Sequence, residues 1–199
     1  THDVRDKWKK KPTESWGLGI LDILDVNAEF YEFAGPGRWN DPDMLITGLY
    51  GKKGPSGDGG GTGCTDTEYQ TQFSLWAMMN APLYATNDLR NMNEATKSIL
   101  LNKEVIALNQ DALGKQAIRK INNDTWNVFI KPLANGDFAI AILNRSESAK
   151  DFNLSFTELG LIDKYEIRDL WQHKIIGKGN KWKGTVQVHE TKLFRLKKI

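Results

Sequence analysis

Three short stretches of the chain gather carboxylates and amides at spacings suited to chemistry. The first is Gly35-Pro36-Gly37-Arg38-Trp39-Asn40-Asp41-Pro42-Asp43-Met44-Leu45, in which two carboxylates flank a proline. Proline fixes the local backbone, so Asp41 and Asp43 keep a defined relative direction. The second stretch holds Asp3 and Asp6, and the third Asn87 and Asp88. Each adjoins a segment that reads as the end of a strand. In parallel α/β folds, polar residues at the C-terminal ends of strands build binding sites. Carboxylates and amides placed there accept hydrogen bonds from the hydroxyls of a polyhydroxylated ligand. Trp39 or Tyr84 would supply an apolar platform beside them. The plainer reading of each stretch is an acidic turn that caps the following segment. Residue types alone leave both readings open.

Other motifs carry less. Gly51 to Gly63 is rich in glycine but contains no G-x-x-x-x-G-K-[ST] window, and Gly57-Asp58-Gly59 lacks the third glycine of a dinucleotide fingerprint. It reads as a surface or active-site loop. Asn123-Asp124-Thr125, Asn144-Arg145-Ser146 and Asn153-Leu154-Ser155 are formal glycosylation sequons, a triplet that arises easily by chance. His2, His173 and His189 are too far apart for metal-ligand spacing, and Cys64 is the single cysteine. No disulfide framework, multi-cysteine zinc site or cofactor is called for.

These residues need elements to hold them. The chain has 199 residues, 40% of them hydrophobic and 26% charged, which is ordinary for a folded protein. A net charge of +2 is too small to make nucleic acid or an anionic membrane the expected partner. No apolar run approaches the roughly 18–20 residues of a membrane span. The pattern changes near residue 115. Before it, apolar residues recur at helical spacing over Ser15 to Phe30, after a capping box at Thr65-Asp66-Thr67-Glu68, and over about Asn93 to Leu108. Between these lie strand candidates ending near Trp39–Asn40 and spanning Pro82–Thr86. The order is that of an α/β unit with parallel strands. After residue 115, short alternating strands follow one another, with Asn135-Gly136 as a hairpin signal. They predict an antiparallel β-sandwich.

At the residues singled out first, the chain resembles glycoside hydrolase family 27, the α-galactosidase and α-N-acetylgalactosaminidase family. Ala34 to Leu45 resembles the family block A-G-P-G-x-W-N-D-P-D-M-L. Ala81-Pro82-Leu83-Tyr84-Ala85-Thr86-Asn87-Asp88-Leu89 resembles its A-P-L segment ending in N-D-[LI]. Ile106 to Gln116 resembles I-A-[IL]-N-Q-D-x-L-G-x-Q, and Thr1 to Trp8 resembles [TSA]-x-D-[IV]-x-D-x-W. Arg38 stands where many relatives have Gly, and the 51–63 loop is longer than usual.

The resemblance implies a retaining glycosidase built from a (β/α)8 barrel and an antiparallel β-sandwich. Residues 1–114 would form the C-terminal part of the barrel, from about the end of strand 6 to helix 8, and 115–199 the sandwich. A whole barrel takes about 250 residues. The resemblance makes Asp3 the catalytic acid/base and Asp43 and Met44 residues of the galactose site; Trp39, the platform candidate by residue type, is counted with them as substrate-binding. The nucleophile would lie upstream of Thr1, so this part alone would be inactive. The implied substrate is a terminal α-linked galactose, or N-acetylgalactosamine as the alternative. The implied partner is the missing N-terminal half of the barrel, or other copies of the chain. A non-catalytic carbohydrate-binding module and a structural remnant are the competing readings. A secreted or periplasmic setting is preferred to a cytoplasmic one.

Overall fold

The computed structural model describes residues 2–53 and 61–199. Its N-terminal part carries four α-helices and two isolated parallel pairings, Val4 with Leu18 and Leu45 with Ala85. Helix α1 spans Ile20–Asn27 and runs on into a 3-10 turn, Ala28–Phe33. It starts later than the apolar spacing from Ser15 predicts. Gly17 has φ 75°, a left-handed conformation that ends any helical run, and Leu18 is taken by the pairing with Val4. Asp22 then closes the first turn by accepting from the amides of Gly19 and Lys10.

Helix α2, Asp66–Met78, begins at the predicted capping box. The Glu68 amide donates to Thr65 Oγ1 at 3.2 Å, and the Thr65 amide to Glu68 Oε2 at 2.7 Å. The helix is buried almost all round, from Tyr69 and Phe73 to Trp76 and Met78. The third helical stretch is two helices, α3 (Glu94–Leu100) and α4 (Lys103–Asn109). Asn102 divides them, because its Oδ1 caps α4 through the amides of Glu104 and Val105 while its Nδ2 reaches the Leu170 carbonyl. The strand expected to end at Trp39–Asn40 is absent. Gly35 and Arg38 instead close a tight turn on each other, and the parallel pairing falls further along, at Leu45. The carboxylates of 41–43 therefore precede this pairing rather than follow it.

The C-terminal part is the predicted antiparallel β-sandwich. Strands β1 (Ile118–Asn122), β2 (Trp126–Pro132), β3 (Phe138–Asn144), β5 (Tyr165–Asp169), β6 (Lys174–Gly179) and β8 (Thr191–Lys198) form one sheet, ordered β1-β2-β3-β8-β5-β6. Strands β4 (Lys150–Ser155) and β7 (Lys181–Val186) form the second. The Asn135-Gly136 signal is the β2–β3 turn, with Gly136 at φ 85°. One core lies between the sheets and includes Val128, Ile140, Ile142, Leu154, Val186 and Phe194.

The other face of the large sheet, with Phe129, Ala139, Ala141, Leu143 and Leu193, joins the core of the helical part. This is why β3 reads as an unbroken apolar run. It also buries Lys131 completely, its ammonium bonded to Asn80 Oδ1 and the Lys115 carbonyl. Burial pushes this lysine down to about 8. Asp25 of α1 adds an ionic tie to the sandwich by accepting from both Arg119 and Arg145.

Candidate functional site

The carbonyl of Leu18 accepts from the Arg5 amide and its own amide donates to the Asp3 carbonyl, a parallel-ladder pattern that holds residues 3–5 extended. Alongside runs the segment at 43–45. The Val4 amide donates to Asp43 Oδ2 at 2.7 Å, and the Met44 amide to Asp43 Oδ1 at 2.8 Å. The Trp76 indole donates to the Asp43 carbonyl, and Asp41 accepts from the Asp43 amide. Asp43 sits at φ 72°, a left-handed conformation that aspartate tolerates better than most residues. Its neighbours thus fix it on all sides.

Above these segments opens a groove of about 1370 Å³. Asp3, Val4, Arg5 and Trp16 line it from one side, and Asp43, Met44 and Ile46 from the next segment. Gly48 to Tyr50, Lys52, Lys53 and the stretch from Thr86 to Asn93 complete the wall. Asp3 and Met44 are exposed in the groove, and Asp43 is half-buried. The structure therefore gathers Asp3, Asp43 and Met44 from two distant stretches. Trp39 is not among the lining residues; its ring and Pro36 cover Gly114. Tyr84 is exposed but also lies outside the lining.

The paired acids of the sequence separate into different tasks. Asp3 faces the groove, whereas Asp6 is fully buried. Asp6 accepts from the Gly51 amide at 2.6 Å, the Cys64 amide at 3.1 Å and the Tyr69 hydroxyl at 2.8 Å. It ties residues 51 and 64 to helix α2. Burial pushes the Tyr69 hydroxyl and the Cys64 thiol well above their ordinary values, and the nearby Asp6 carboxylate adds to both shifts. Gly57-Asp58-Gly59 and most of the glycine-rich stretch fall within residues 54–60, outside the described residues.

Asp88 lines the groove but is committed to its own turn. Hydrogen bonds from the Arg90 side chain and amide, and from Asn91, hold its carboxyl far below the usual range. Asn87 Oδ1 is buried without a partner among the described residues. Among the described residues, no cluster of three His, Cys, Asp or Glu side chains is arranged to hold a metal ion. No helix among them is long and apolar enough to cross a membrane. The Asn144 sequon is unusable in the folded chain, since its Nδ2 is buried and donates to three carbonyls.

Trp16, like Tyr50, is a groove aromatic that sequence reasoning missed. The apolar character of Trp16 fits the helical spacing, although Gly17 and Gly19 beside it signal a turn.

Residues 1–111 match the family model described as Alpha galactosidase A, and residues 123–196 the model described as Alpha galactosidase C-terminal beta sandwich domain. The chain belongs to glycoside hydrolase family 27. It is 41% identical over 159 residues to Alpha-galactosidase A of Cellvibrio japonicus, covering 79% of this chain and 36% of that protein. It is 34% identical over 179 residues to Alpha-N-acetylgalactosaminidase of Gallus gallus, covering 87% of this chain and 40% of that one. Alpha-galactosidase I of Mortierella vinacea superposes with a TM-score of 0.87 at 27% identity, covering 100% of this chain and 52% of that structure. The chain thus spans well under half the length of these two curated relatives. The fold of this family 27 chain is accordingly the C-terminal part of a (β/α)8 barrel followed by its β-sandwich, and its curated relatives are glycoside hydrolases.

Proposed function

We propose that this chain forms the C-terminal part of a retaining exo-α-galactosidase, with Asp3 as its acid/base. The observation that carries this reading is the position of Asp3 beside Asp43 and Met44 in one groove. A retaining glycosidase uses two carboxyl groups about 5–5.5 Å apart, one attacking the anomeric carbon and one protonating the leaving oxygen. Asp43 has both oxygens engaged by backbone amides, and Asp88 is engaged by Arg90 and Asn91. Asp3 is exposed in the groove beside them. The attacking carboxylate is then supplied from outside the described residues, by the N-terminal half of the barrel. Asp43 and Met44 contact the galactosyl ring.

Division of the domains near residue 114 follows from the same reading, since the helices end at Asn109 and the sheet begins at Ile118. The relative from Gallus gallus keeps N-acetylgalactosamine as a second sugar. The test is hydrolysis of an aryl α-galactoside. The 199 residues alone are expected to be inactive and the complete polypeptide that carries them active. Turnover by the 199 residues alone would overturn the division of the two carboxylates.

A further inference from the structure

Arg5 and Trp16 form a pair in the groove that the proposed reaction does not use. Asp3 and Arg5 are two residues apart on an extended segment, so their side chains leave it on the same side, while Val4 between them is buried. The Arg5 guanidinium lies 3.9 Å over the Trp16 ring. Trp16 is nevertheless 60% exposed, and both residues line the groove with Asp3 and Asp43. The pair is built in from below. Gly17 has φ 75°, and a Cβ on it would fall 2.5 Å from Arg5 Cγ. Arg5 Nε is buried and has no hydrogen-bond partner among the described residues, so its packing against the indole is its main engagement. One face of a large aromatic is thus held by a cation, and the rest of the ring is open to the groove.

We infer that Trp16 is a specificity-determining platform for a pyranose leaving group, with Arg5 as the positioning residue that holds it. This rests on the reading of Asp3 as the acid. The acid protonates the oxygen that joins galactose to its aglycone, so the aglycone lies next to Asp3, on the side where Arg5 and Trp16 stand. A pyranose presents a flat face of C–H bonds that packs on an indole, and its hydroxyls need polar partners at the rim. Lys52 and Lys53 line the same groove and can supply them. An aryl aglycone shares the flat ring but lacks the hydroxyls.

The experiment compares kcat/KM of the complete polypeptide on methyl α-galactoside, a galactosyl-pyranose disaccharide and a nitrophenyl α-galactoside. Trp16→Ala should lower the disaccharide-to-methyl ratio at least ten-fold, mainly through KM. Trp16→Phe should restore most of it. Arg5→Gln should give a smaller fall that Arg5→Lys reverses. An unchanged ratio in a folded Trp16→Ala protein would overturn the platform. A fall in the nitrophenyl ratio equal to or greater than that of the disaccharide would overturn the pyranose assignment. If the parent protein hydrolyses none of the three, the proposed activity fails. The Trp16 indole N–H resonance, assigned by its loss in Trp16→Phe, then decides the platform: a shift with the disaccharide but not with galactose supports it, and no shift overturns it.

Discussion

The backbone amide of Val4 donates to Asp43 Oδ2 across 2.7 Å, joining two stretches 39 residues apart in sequence. The bond sets the segment that carries Asp3 beside the segment that carries Met44. The left-handed backbone of Asp43 turns its side chain back onto both amides, Val4 and Met44. The groove therefore depends on a side chain that resemblance assigns to sugar binding but that also holds the floor together.

Replacing Asp43 with Ala removes both bonds and places a Cβ residue without local hydrogen bonding at φ 72°. Stability should fall by about 2–4 kcal/mol, since two amides lose their partner and the backbone is strained. Asp43→Asn keeps an acceptor and tolerates the conformation, so it should cost about half as much. Urea denaturation of the two variants checks the ordering.

Asp6 gives a second prediction. Asp6→Ala strands two amides and the Tyr69 hydroxyl, and should cost roughly 3 kcal/mol or more. Tyr69→Phe removes one of the three bonds and should cost about 1 kcal/mol. Thermal or urea unfolding checks both, and a smaller loss for Asp6→Ala than for Tyr69→Phe would contradict the arrangement.

His189 predicts a pH dependence. It lies in the turn before β8, stacks on Trp8 at 4.4 Å, and contacts Glu68 at 2.7 Å and the exposed Glu147 at 3.2 Å. Burial opposes its protonation, but the two carboxylates outweigh burial and the imidazole is raised above its ordinary value. For Glu68, burial is likewise outweighed, by His189 and Thr65, and the carboxyl is lowered. A raised base stabilises fully below its unfolded value of about 6.5 and loses that contribution as pH rises through its folded value. A lowered acid stabilises above its unfolded value, about 4.3, and loses that contribution as pH falls through its folded value. The contact between α2 and the sandwich should therefore be strongest between these limits. His189→Gln should cost about 1 kcal/mol near pH 6 and flatten the decline above it. Unfolding curves at pH 5.5, 7 and 8.5 measure this.

How legible this was varied with the range of the interactions. The Thr65–Glu68 capping box and the Asn135-Gly136 turn are local, and the structure contains both. The block from Ala34 to Leu45 carried the family resemblance for the same reason. The start of α1 was misplaced because Trp16 and Leu18 fit a helical spacing, while Leu18 is needed by Val4, a partner that spacing does not reveal. Trp39 packs over Gly114, 75 residues further along the chain, a contact that its residue type does not reveal. Lys131 occupies the polar-looking side of an alternating strand, yet that side meets α2 and Asn80. The His189–Glu68 contact depends on how two units dock. The Trp39, Lys131 and His189 contacts each involve a partner distant in sequence, whereas Gly17, the Gly35–Arg38 turn and the Asn102 cap are local.

Cys64 should be inert in the folded chain. It is 6% exposed, and its thiol is raised, so it supplies little thiolate. Labelling by a disulfide reagent should be slow under native conditions and complete within minutes in denaturant. Fast native labelling would mean that residues 63–65 open readily.

The central assignment is Asp3 as acid/base, and leaving-group dependence tests it most directly. In the complete polypeptide, kcat/KM of Asp3→Asn is compared with the parent on an alkyl α-galactoside, whose leaving oxygen needs a proton, and on a nitrophenyl α-galactoside, whose leaving oxygen does not. The account predicts a loss of about 10²–10⁴-fold on the alkyl substrate and a much smaller one on the nitrophenyl substrate. Equal losses on both would contradict it.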